Sequence, residues 1–127
     1  MKTHHIGYLV KSTDAYLKKC FGDVTIEKQF YDPVQKSKLT LVKLNSDIFI
    51  ELIEPNNQID SDLKRELSIK GEGFHHVCYI CTKESEYLEY IKNAHLLAGP
   101  FNSIMFNCEI EFYTQKYNLI EEIVKSF

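Results

Sequence analysis

"HHIGYLV" at residues 4–10 returns almost unchanged as "HHVCYIC" at residues 75–81. A phrase repeated so closely within one short chain points to an internal duplication, and overlooking it would misread the whole fold. A shift of 71 positions carries His5 to His76, Tyr8 to Tyr79, and the pair Tyr16–Leu17 to Tyr87–Leu88. A second echo stands near the end of each half, "FIELIE" at 49–54 and "LIEEIV" at 119–124.

Outward from the repeated phrase, both halves read in the same order. "HHIGYLV" is a strand, rich in aromatic and β-branched residues. "STDAYLKKCFG" is a helix, with an N-cap among Ser12 to Asp14, an apolar face of Tyr16, Leu17, Cys20 and Phe21, and Gly22 to end it. "VTIEKQFY" and "LTLVKL" are strands around the turn "DPVQKSK", and "DIFIELIE" follows a turn at Asn45–Ser46. The first module, 1–55, is therefore βαβββ. A polar linker, 56–72, holds a short helix capped by Asp60 or Ser61 and closed by Gly71. The second module, 73–127, repeats the order: "FHHVCYICT" as a strand, "ESEYLEYIKNAHLLAG" as a helix, then "PFNSIMF", "EIEFYT" and "NLIEEIVK" as strands, with turns near Asn107 and Lys116. The expectation is one α+β domain over 1–127.

Composition narrows the function classes. At 127 residues, 44% hydrophobic and 26% charged, the chain has the makings of a soluble domain with a sizeable core. A net charge of -3 without a basic cluster argues against nucleic acid as a partner. Arg65 is the only arginine beside fourteen lysines, so anionic groups would be met by point charges rather than planar forks. No apolar run approaches the ~18 residues of a membrane span, and no signal-like segment opens the chain, so a cytoplasmic protein is expected. Cys20, Cys78, Cys81 and Cys108 are then read as free thiols. Cys78 and Cys81 spell C-x-x-C. On a strand, however, residues three apart face opposite ways, which favours buried structural thiols over a redox or zinc pair.

Alternation sorts the strand residues by face. His5 shares a face with Gly7 and Leu9, and His76 with Cys78 and Ile80. In "FIELI" Glu51 falls between Phe49 and Ile53; in "LIEEI" Glu121 falls between Leu119 and Ile123. A carboxylate on such an apolar strand is expensive to bury unless it is paired or bound to metal. Two histidines and two glutamates placed symmetrically in two repeats suggest one shared site. Its donors suit zinc, nickel, cobalt, manganese or ferrous iron. His5 and Glu51 stand 46 positions apart, and His76 and Glu121 stand 45 apart. The uniform shift of 71 would instead select Glu122, and only one of the two neighbours can face the site. The local wording, apolar-Ile-Glu, favours Glu121. His4 and His75 point the other way and are read as structural, as is His95 on the second helix.

These residues and motifs resemble the vicinal oxygen chelate superfamily, which includes glyoxalase I, methylmalonyl-CoA epimerases, extradiol dioxygenases and antibiotic-resistance binding proteins. "IELIEP", a linker of similar length and "GEGFHHVC" bring it nearest to the epimerases. The resemblance implies a curved mixed sheet around a central metal cleft, with the metal held by His5, Glu51, His76 and Glu121. It further implies proton removal next to the carbonyl of a small carbonyl or thioester substrate, with Glu121 as base and Glu51 as its partner, and a homodimer. Leu39 stands where many bacterial epimerases carry a further glutamate, and "YTQKYN" replaces their glycine-rich passage. The alternatives are a metal-free binding protein of the resistance type and a ferrous extradiol-type dioxygenase.

Overall fold

Strand β1 (Lys2–Leu9) buries His5, Gly7 and Leu9 along one face, the alternation its sequence dictates. In the computed structural model, which describes residues 1–20, 24–43, 47–116 and 118–127, the elements follow in a doubled order. After β1 come α1 (Thr13–Cys20), β2 (Thr25–Asp32), β3 (Ser37–Lys43) and β4 (Phe49–Pro55). Helix α2 (Asp62–Lys70) leads to β5 (Gly73–Cys81), α3 (Glu84–Ile91), β6 (His95–Asn102), β7 (Glu109–Thr114) and β8 (Ile120–Lys125). The chain is α+β, built as βαβββ, a connecting helix, and βαβββ. No helix of the described residues is long and apolar enough to cross a membrane. The helix end expected at Gly22 and the turn at Asn45–Ser46 lie outside the described residues.

The chain divides into two compact units: Ile6–His75, and Met1–His5 with His76–Phe127. The division falls inside β1 and β5, so the first five residues belong with the second half of the chain. In the unit Ile6–His75, β3 pairs antiparallel with both β2 and β4. The β2–β3 turn is tied by the Asp32 carboxylate, which accepts from the backbone N–H groups of Val34 and Gln35. One sheet face packs Val10, Val42 and Leu52 beneath Tyr16 and Leu17 of α1. The other packs Leu39 and Ile53 against Leu63 and Leu67 of α2. Each fully buried aliphatic side chain, Leu52 for example, contributes about 1.5–3 kcal/mol by leaving water.

The linker helix is fixed at both ends by its own sequence. Ser61 Oγ accepts from Lys64 N–H at 3.1 Å, and Gly71, at φ +78°, donates its N–H to the Leu67 carbonyl.

In the other unit, β8 pairs parallel with β5 and antiparallel with β7, and β7 pairs antiparallel with β6. One face packs Cys81, Tyr113 and Ile123 against Tyr87, Tyr90 and Ile91 of α3. The opposite face gathers Cys78, Ile110, Phe112 and Val124. Cys78 and Cys81 are buried in opposite clusters, as strand geometry requires.

One element departs from the sequence reading. The helix expected over 84–99 stops at Ile91, and His95–Gly99 joins β6, where His95 pairs with Thr114, Leu96 with Tyr113 and Ala98 with Phe112. Propensity favoured helix for "AHLLA", but the cross-strand ladder overrides it. Gly99, at φ +105°, cannot continue a right-handed helix. The strand expected over 100–106 consequently starts five residues earlier and ends at Asn102. Ser103–Cys108 then turns the chain, with Ser103 N–H bonded to the Cys108 carbonyl and Asn107 in the left-handed region.

Candidate metal centre

The β5–β8 ladder decides which glutamate meets the histidines. Its parallel register sets Cys78 beside Glu122 and Val77 beside Glu121. Glu122 therefore shares the face of His76, Cys78 and Val124, while Glu121 shares the face of Tyr79 and Ile123 that α3 covers.

The resulting group is tight and dry. Nε2 of His5 lies 3.1 Å from Nε2 of His76. Glu122 Oε2 lies 2.9 Å from His76 Nε2 and 3.3 Å from His5 Nε2. His5 and His76 are wholly buried and Glu122 is 3% exposed. Burial by itself pushes the Glu122 carboxyl upward, but hydrogen bonding to both imidazoles and their positive charge hold it well below the usual carboxylate range. The chemistry of this donor set fits a divalent metal. Ligands about 2.0–2.1 Å from tetrahedral zinc stand about 3.3 Å from one another, so the three atoms need open by only a few tenths of an ångström.

Aromatic rings wall the imidazoles. Phe112 meets His76 edge-on, with centroids 5.7 Å apart. Phe106 stacks parallel to His5 at 6.2 Å and meets His4 edge-on at 4.9 Å. His4, read from sequence as facing away, turns its ring back so that its Nδ1 lies 2.9 Å from Nδ1 of His5.

Glu121, the expected ligand and base, is engaged elsewhere. Its Oε1 accepts from Tyr90 Oη at 3.1 Å and from Gln115 Nε2 at 2.7 Å. Tyr90 and Gln115 also line an open hollow of about 420 Å3, which lies on this helix-covered side of the sheet. Burial, followed by the negative charge of Glu121, raises the Tyr79 phenol above its ordinary value. A second buried carboxylate on this side, Glu111, accepts from Tyr87 and Tyr113 at 2.8 and 2.5 Å. His75 stands 3.4 Å from Glu66, and His95 is exposed on β6 rather than helical.

Glu51 sits on β4 of the other unit, 3% exposed and opposite Leu41 of β3. Within that unit it shares a face with Ile53 and Leu39, while its neighbours Ile50 and Leu52 pack toward α1. In each unit, then, a buried glutamate occupies the sheet face that the module's first helix, α1 or α3, leaves to other side chains. Glu51 and Glu122 are the equivalent pair. Sequence could have supplied this: His5 to Glu51 and His76 to Glu122 are both 46 positions apart.

Duplicated βαβββ modules with imidazole and carboxylate donors on their strands define a recognisable class. The family model for the Glyoxalase/Bleomycin resistance protein/Dioxygenase superfamily matches residues 4–96, well over half of the chain, and the chain belongs to that superfamily. Among curated proteins none matches in sequence. Solved structures do match. The hypothetical protein BH1468 from Bacillus halodurans has a TM-score of 0.83 at 21% identity, covering 97% of this chain and 92% of its own. A variant of Streptomyces coelicolor methylmalonyl-CoA epimerase in complex with 2-nitronate-propionyl-CoA scores 0.80 at 23% identity, covering 99% and 97%. Methylmalonyl-CoA epimerase from Mycobacterium tuberculosis scores 0.76 at 17%, covering 97% and 86%. At such identities the likeness speaks for the fold alone.

Proposed function

We propose that this protein is a divalent-metal-dependent isomerase or lyase that removes and returns a proton next to the carbonyl of a small carbonyl or thioester substrate, in the manner of an epimerase or of glyoxalase I. The observation that carries the proposal is the meeting of His5, His76 and Glu122 at 2.9–3.3 Å in a fully buried, aromatic-walled position. Those three residues are assigned as ligands, with Glu51 as the fourth donor on the strength of its equivalence to Glu122 in the repeat. A metal held there supplies a Lewis acid for the substrate's carbonyl oxygen.

The chain's own residues divide the remaining work. Glu122 is committed to both imidazoles, so its task is to hold them in place and neutralise charge. Glu51 is assigned the base. Its carboxylate takes the proton from the α-carbon, the C–H electron pair moves into the carbon–carbon bond as charge develops on the carbonyl oxygen, and the proton is returned to carbon. Phe106 and Phe112 keep water from the histidine end of the site, which strengthens each electrostatic contact. Glu121 has no role in this step.

The test is exchange of solvent deuterium into the α-position of methylmalonyl thioesters and hemithioacetals by the metal-loaded protein. Exchange is expected in the wild type and in Glu121→Gln, and its loss by about 100-fold or more in Glu51→Gln. Absence of exchange from every substrate of both classes would end the proposal.

One observation favours a second reading. Two histidines and one carboxylate are the ligand set of ferrous oxygenases. Oxygen consumption with catechols in the presence of ferrous iron would select that reading instead.

A further inference from the structure

His4 precedes the first proposed ligand and lies outside the ligand set, yet its ring is held against that ligand. Its Nδ1 is 2.9 Å from Nδ1 of His5, the distance of a hydrogen bond. Phe106 contacts both rings, edge-on to His4 and parallel to His5, and so limits the rotation of each. On its far side the His5 ring presents Nε2 to His76 and Glu122. The two nitrogens of one buried imidazole thus have separate tasks.

We infer that His4 is a positioning residue that fixes the tautomer and orientation of His5. The inference rests on the metal centre proposed above. A ligating Nε2 must offer its lone pair, so the ring proton of a neutral imidazole resides on Nδ1. Nδ1–H then requires an acceptor, and the acceptor facing it is Nδ1 of His4. His4 in turn carries its own proton on Nε2. Metal-bound histidines ordinarily donate the second ring N–H to a carboxylate or a carbonyl; here another imidazole serves. Its acceptor nitrogen leaves no added negative charge beside a site that already contains Glu122.

The same neighbourhood permits one competing use. His4, His5 and Cys78 each offer a donor atom within 4.8 Å of the other two, a group able to hold a thiolate-bound metal. The two uses exclude each other at Nδ1 of His5, which cannot both donate its proton to His4 and offer a lone pair to a metal, so the experiment separates them.

The test measures cobalt(II) and zinc affinity by calorimetry and absorbance in wild type, His4→Leu, His4→Asn and Cys78→Ser. It adds nitrogen-15 NMR of the His5 ring in the zinc-loaded wild type. Asn places an oxygen acceptor close to where Nδ1 of His4 stands, whereas Leu fills the space without one. His4→Leu is expected to weaken binding about 10–100-fold, with His4→Asn restoring most of it. In the wild type, the proton should appear on Nδ1 of His5 and the metal on Nε2. Unchanged affinity in His4→Leu, or equal loss in the Leu and Asn variants, would overturn the inference while leaving the metal centre standing. A thiolate-to-cobalt charge-transfer band that vanishes in Cys78→Ser would overturn it in favour of the thiolate site. A wild type that binds neither metal would remove the centre itself, and the positioning role with it. The NMR result needs no variant to fold.

Discussion

Nε2 of His5 lies 3.1 Å from Nε2 of His76, although the two residues are 71 positions apart. The separation equals the repeat shift, so the contact joins the same residue of two copies of one unit. Glu122 Oε2 bridges the pair.

Adjacent glutamates on β8 should therefore behave differently. Glu122→Gln and His76→Ala are expected to lose divalent metal by more than the roughly 10–100-fold that loss of an outer partner costs. Glu121→Gln, whose carboxylate is held by Tyr90 and Gln115, should bind as the wild type does. Metal content after dialysis and isothermal calorimetry give the answer. Equal losses in both glutamine variants would refute the division of the two faces.

Alkaline pH should destabilise the protein through two phenols, Tyr113, which is buried, and Tyr90, which is partly so. Tyr90 is raised above its ordinary value chiefly by burial, with the charge of Glu121 adding to it. Tyr113 is raised by burial and then by its bond to Glu111. A phenol whose folded pKa exceeds its unfolded one contributes stability that is complete below the unfolded value of about 10, and that declines as pH rises beyond it. Phenolate absorbance should show these two among the eight tyrosines ionising only as the protein unfolds. Tyr90→Phe should flatten the loss of denaturation midpoint above pH about 10.

Gly99 has no room for a side chain. At φ +105° a built Cβ would stand 2.9 Å from the Ile110 carbonyl oxygen and 3.1 Å from Glu111 Cα, both of them backbone atoms that cannot swing aside. Gly99→Ala should cost of order 1–3 kcal/mol, read as a shift of the urea midpoint at unchanged slope.

Ser61 caps α2 through its hydroxyl. Ser61→Ala should lower stability by about 1 kcal/mol and Ser61→Gly by only a few tenths. Unchanged stability in both variants would show that the hydroxyl bond to Lys64 N–H contributes nothing.

Much of this architecture is carried by local patterning that needs no knowledge of distant neighbours. The two strand phrases around His5 and His76, the caps at Ser61 and Gly71, and the opposed cysteines Cys78 and Cys81 all follow from short-range rules. The second helix shows where such rules end: "AHLLA" suits a helix, but pairing with β7 makes it strand. Likewise His4 lies on the opposite parity from His5, and alternation says nothing of a ring that folds back to its neighbour.

The choice between Glu121 and Glu122 marks the boundary most clearly. Spacing and alternation are enough to establish that two equivalent modules exist, that each offers an imidazole and a carboxylate on apolar strands, and that a spacing of 46 could recur. Which carboxylate is presented to the histidines is settled in the folded sheet. A side chain's face is fixed by the hydrogen-bonded register between β5 and β8, and register belongs to a pair of strands rather than to either one.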